Sequence, residues 1–131
     1  DCVMKNRKLA EKFLHKADQD MTVLEKWRQD PDIACEILGF HAQQTAEKML
    51  KAVLSHQGIE FPFTHRLTDL IDLGKEHGIV LPERLEDIRF LTPFAVEFRY
   101  DIYEEDEEPV DFEEVFVLLT ELRKWVDTNI D

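Results

Sequence analysis

Residues 33–58 read IACEILGFHAQQTAEKMLKAVLSHQG, and their spacing decides the fold. Apolar side chains recur at three- and four-residue intervals through Ile33, Ile37, Leu38, Phe40, Ala42, Ala46, Met49, Leu50, Val53 and Leu54, the repeat of an amphipathic helix. Asp30-Pro31 ahead of the run offers an N-cap followed by proline at the first helical position. Gly58 offers a left-handed C-cap just after His56. One helix from Asp30-Pro31 to about His56 is the expectation.

The flanking chain repeats the pattern. Leu9, Phe13, Leu14, Ala17, Met21, Leu24 and Trp27 place an amphipathic helix over roughly residues 4–27. Pro62 keeps Ile59-Glu60-Phe61-Pro62-Phe63 from being helical throughout, and its three large apolar side chains are expected to pack down. Thr64 can cap a third helix bearing Leu67, Leu70, Ile71 and Leu73, stopped by Gly78. Pro82 opens a fourth, with Leu85, Ile88, Leu91, Ala95 and Phe98 on one side and a bend or split at Thr92-Pro93. Asp111 and Glu114 form a capping-box pattern ahead of Phe112, Val115, Phe116, Leu119, Leu122, Val126 and Ile130. No strand-like alternation of useful length occurs, so the chain reads as one all-α antiparallel up-and-down bundle of four to five helices, a single domain over residues 1–131.

With 16 Lys+Arg against 29 Asp+Glu, the 131 residues carry a formal net charge of −13. That balance opposes generic DNA binding, which needs clustered cations to displace counterions from phosphates. The densest acidic run, Glu104-Glu105-Asp106-Glu107-Glu108, reads as a solvated loop or as a dock for a basic partner. Two cysteines, Cys2 and Cys35, define no disulfide framework or zinc spacing and fit a reducing cytoplasm. Apolar runs are too short for a membrane span, and no signal-peptide pattern opens the chain. The expectation is a soluble, cytoplasmic protein. His15, His41, His56, His65 and His77 form no i, i+4 pair, and no P-loop, GxGxxG or GxSxG is present, so no metal or cofactor is expected.

Polar residues that interrupt an apolar stripe carry the functional information. Along the second helix Ile33, Ile37 and Phe40 lead to Gln44 and Glu47 before Leu50 and Leu54 resume; along the fourth, Ile88, Thr92 and Ala95 lead to Arg99. An arginine fork matches a carboxylate bidentately, so Arg99 is expected to meet Glu47, with Gln44 completing the hydrogen bonds. This is either a structural ion pair or a polar pocket for a phosphate or nucleotide. In the second case Lys48 and Lys51 supply charge, His41 and His65 supply donors, and Gln43 is a lesser candidate.

Three separated motifs, Gly39–Ala52 (GFHAQQTAEKMLKA), Gly58–His65 (GIEFPFTH) and Ala95–Tyr100 (AVEFRY), resemble the HEPN family (higher eukaryotes and prokaryotes nucleotide-binding), in order and spacing, over nearly the whole chain. The resemblance implies an up-and-down bundle, commonly a homodimer, often encoded beside a minimal nucleotidyltransferase as a toxin–antitoxin or two-component pair. Many relatives are metal-independent ribonucleases in which an Arg is followed, after a short spacer, by a His. Arg99 matches the first position, while the corresponding window holds Glu104, Glu105 and Asp106 and no histidine. A carboxylate does not substitute for an imidazole poised near neutral pH, and this cluster repels an RNA backbone. The expectation is therefore a non-catalytic module that binds a nucleotide or a nucleotidyltransferase. The alternatives are an RNA endonuclease using Arg99 with a histidine from elsewhere, such as His41, and a structural module docking a basic protein through the acidic loop.

Overall fold

The second helix is the centre of the molecule, because its side chains are buried on nearly every face. In the computed structural model, which describes residues 6–95 and 110–130, it is α2 and spans Cys35–His56. Around it lie α1 (Arg7–Trp27), α3 (Leu67–Glu76), a 3₁₀ helix (Glu83–Phe94) and α4 (Phe112–Asn129), and α2 touches all four. The described residues contain no strand, so the chain is an all-α helical bundle. No helix among them is long and apolar enough to cross a membrane.

The most extensive packing is between α1 and α2. Ala10 and Ala17 on α1 and Ala42 and Ala46 on α2 are fully buried, and side chains this small let two helix backbones approach closely. The pair is antiparallel: Asn6 N, at the start of α1, donates to Ser55 O near the end of α2 at 2.9 Å. Arg28, just past the end of α1, reaches Glu113 in the first turn of α4 at 3.2 Å, and Arg123 reaches back to Asp18 at 2.9 Å. Gln57 donates to Asn129 O at 3.4 Å, so the ends of α2 and α4 meet.

Several boundaries differ from expectation for local reasons. Asp30 does not cap α2; its Oδ1 accepts from Asp32 N at 2.8 Å in a turn, and the helix starts four residues beyond Pro31. Thr64 does not cap α3 either. It accepts from Arg66 N at 3.0 Å and donates to Asp69 Oδ2 at 2.9 Å, closing a turn one residue earlier, and Arg66 becomes the N-cap. Asp111 does cap α4, accepting from Glu113 N and Glu114 N, yet the Glu114 carboxylate goes to Arg84 at 3.1 Å instead of closing the box. Gly58 and Gly78 take the positive φ expected of them, 74° and 81°.

The fourth element departs most. Leu85, Ile88, Leu91 and Phe94 are all buried, and their strict three-residue spacing lines one edge of a helix with three residues per turn. Pro93 lies inside it, and the side chain of Thr92 is turned toward the start of α3, where Thr92 Oγ1 accepts from Leu67 N at 3.3 Å. In the 59–63 connection Ile59 and Phe61 pack on the core as expected, but Phe63 is 93% exposed. Trp27, expected on the apolar stripe, is 45% exposed, because it closes α1 where the chain leaves the α2 contact. Cys35 is half-buried against the core.

Candidate functional site

The polar residues of α2 divide into two groups that face different neighbours. Gln43, Glu47 and Lys51 follow one another at four-residue intervals and therefore share one face. Glu47, 4% exposed, receives Gln43 Nε2 at 3.0 Å and His65 Nδ1 at 2.9 Å on one oxygen, and Lys51 Nζ at 3.0 Å on the other. Gln43 Nε2 also donates to His65 O at 2.9 Å, and its Oε1 accepts from Gln44 Nε2 at 2.7 Å. An ionised carboxylate only accepts, so His65 carries hydrogen on Nδ1 in this arrangement. Lys51 is 8% exposed, and its ammonium lies 5.7 Å from the centre of the Phe61 ring.

Among the described residues, Glu47 thus meets an intrahelical lysine and a connector histidine. Gln43, not Gln44, touches the carboxylate, because i, i+4 neighbours stack on one helix face and Gln44 sits a position further round. Arg99 and the acidic run 104–108 lie outside the described residues. The network ties α2 to the backbone of the connection leading into α3, and Phe63 packs edge-on against His65 at 5.4 Å between ring centres.

Burial pulls the Glu47 pKa upward, but hydrogen bonds from Gln43, His65 and Lys51, together with the Lys51 charge, outweigh it and hold the carboxyl below its ordinary value. A lowered folded-state pKa makes the unfolded chain the better proton binder in acid. The stabilisation is complete above the unfolded value of about 4.3 and is lost as pH falls through the folded one. Urea midpoints of wild type and Glu47→Gln are expected to differ most at pH 7 and to converge toward pH 3. A gap that stays constant over that range would mean that the Glu47 charge is not what the network holds.

The second group is Asp20 with His41 and Lys48. Asp20 on α1 is buried and accepts from His41 Nδ1 at 2.8 Å and from Lys48 Nζ at 2.6 Å. Lys48, expected beside Lys51, therefore serves the α1–α2 seam and not the Glu47 centre. Asp20 was not among the sequence candidates, although it sits three residues after Ala17 and four before Leu24, on the buried stripe of α1. That placement was the available signal.

Both groups join each carboxylate to its cation inside the fold. Two clefts formed by described residues lie elsewhere, both lined by Val110 and by residues of the start of α4, with volumes of about 320 and 290 Å³. Neither is lined by Gln43, Glu47, Lys51 or His65. No group of three or more His, Cys, Asp or Glu side chains among the described residues is placed to hold a metal ion. Residues 7–129 match the HEPN domain family. No curated protein and no solved structure matches the chain.

Proposed function

The chain belongs to the HEPN domain family, whose members are nucleotide-binding or ribonuclease-like helical modules, and from that premise we propose that it is a non-catalytic, homodimeric, cytoplasmic member that works through a protein partner of the minimal-nucleotidyltransferase kind, as in a toxin–antitoxin pair. The observation that carries this reading is the commitment of the α2 side chains and of His65 in the connection beside them. The donors a free nucleotide would need, Gln43, Lys48, Lys51 and His65, are turned onto Glu47 and Asp20. A nucleotide that recruits these donors has to break an ion pair that is largely buried in either group, which disfavours it against a protein surface. The ribonuclease signature is also incomplete, since Arg99 is followed by carboxylates where a histidine belongs.

The test is direct. The product of an adjacent reading frame encoding a minimal nucleotidyltransferase should co-elute with the chain in gel filtration with light scattering, two copies of the chain per complex. A monomeric chain that ignores that protein removes the reading. Equilibrium dialysis against ATP should show little binding by the chain alone.

One observation favours a second reading, an RNA endonuclease that uses Arg99 as phosphate contact and His41 as the acid–base group. Asp20 Oδ1 at 2.8 Å from His41 Nδ1 orients the ring as a carboxylate orients a general base, leaving Nε2 as the atom that takes a proton. Cleavage of a structured RNA by wild type, abolished by both Arg99→Ala and His41→Ala, would establish it. Absence of Arg99-dependent cleavage supports the non-catalytic module.

A further inference from the structure

We propose that the groove across the start of α4, made of the two clefts that share Val110, docks a cationic, amphipathic segment of a partner protein. This deepens the partner reading above and rests on it. The larger cleft has an apolar floor of Phe90, Val110, Val115 and Leu118, and the smaller adds Ile33, Leu38 and Phe112 beyond Val110. Volumes of about 320 and 290 Å³ stand at the small end of the range for ligand pockets, suiting single anchor side chains better than a whole cofactor. Phe90 is 45% exposed, an aromatic surface that water covers until something packs on it.

The charge around the floor selects the partner. Asp87, Asp111 and Glu114 border the larger cleft, and its arginine, Arg84, is held by Glu121 at 2.7 Å and Glu114 at 3.1 Å. Arg28, bordering the smaller cleft, is held by Glu113 at 3.2 Å and lies over the Phe116 ring at 4.1 Å. The bordering cations are thus matched by carboxylates, and the acidic surplus, Asp87 and the capping Asp111, lies at the larger cleft. In sequence the run Glu104–Glu108 ends two residues before Val110. Phosphate polymers are repelled here, whereas Lys or Arg flanking apolar anchors is steered in and then held by burial.

Two fluorescein-labelled 16-residue peptides test this with the full chain: one of Leu and Arg at helical three- and four-residue spacing, and one of the same composition with the order scrambled. By fluorescence anisotropy the ordered peptide should bind at least about tenfold tighter, the loss expected when an anchor is misplaced. Phe90→Ser and Asp87→Lys should each weaken it about fivefold or more with melting temperature little changed, since both side chains are at the surface. Equal binding of the scrambled peptide overturns the proposal. So does binding that survives both substitutions but vanishes when Glu104 to Glu108 are neutralised, or an oligo-uridine that competes with the peptide. A nucleotidyltransferase complex that persists in the Phe90→Ser/Asp87→Lys variant removes the groove and leaves the partner reading standing. Loss of the complex with wild type, with peptide binding intact, does the reverse.

Discussion

Glu47→Ala is expected to lower the unfolding free energy by about 3–5 kcal/mol, the cost of leaving a buried charge without its partner. Lys51 is 8% exposed and would keep an ammonium with no carboxylate, while Gln43 and His65 would lose the acceptor that fixes them. The sharper test is the double variant. If the loss arises from the stranded lysine, Glu47→Leu with Lys51→Met should regain most of it, because apolar replacements for both halves of a buried pair are often neutral or better. Chemical denaturation at pH 7 reads both chains. A loss below about 1 kcal/mol for Glu47→Ala would place the pair among exposed bridges of little consequence. A double variant as weak as the single would shift the role to the tether between Gln43 and the His65 carbonyl.

Gly39→Val is expected to fall in the upper part of the about 1–3 kcal/mol loss typical of an overfilled core. A Cβ at Gly39 would stand 2.2 Å from Phe94 Cδ1 and 2.4 Å from Cγ, well inside contact distance. The ring is not the loose end of a flexible side chain: Phe94 is buried, closes the 3₁₀ helix and lies 6.4 Å from the Phe112 ring centre. The gain in helix propensity of valine over glycine, on the order of a few tenths of a kcal/mol, is too small to offset that clash. Because the clash is with one ring, the two positions should couple. Phe94→Ala alone costs about 3–5 kcal/mol, but in that background Gly39→Val should cost less than about 1 kcal/mol. Strictly additive losses in thermal or urea unfolding would rule out the direct contact as the cause.

The helices were legible in the chain because helix formation is a local matter. The apolar repeat of 33–58 gave α2 to within five residues at its start and at its end, and Gly58 and Gly78 closed helices by adopting the one backbone conformation that favours glycine. The 3₁₀ form was not legible, because Leu85, Ile88 and Leu91 suit an α-helical stripe continuing to Ala95 as well as a strict three-residue repeat continuing to Phe94. The candidate site was legible only as a set of positions. Gln43, Gln44, Glu47, Lys51 and His65 do come together, while Lys48 is drawn to Asp20 on another helix.

Local pattern was enough for the class of fold and for the presence of polar groups where apolar ones belong, while the central place of α2 emerged only from the packing. Which donor meets which acceptor, that Phe63 stands in solvent while Phe61 packs, and where the clefts lie follow from the folded arrangement alone. Helical periodicity fixes which side chains share a face, a relation among residues three or four apart. The partner across a seam is chosen by how two faces seat against each other, as Asp20 on α1 is matched to His41 and Lys48 on α2, and no local repeat carries that information.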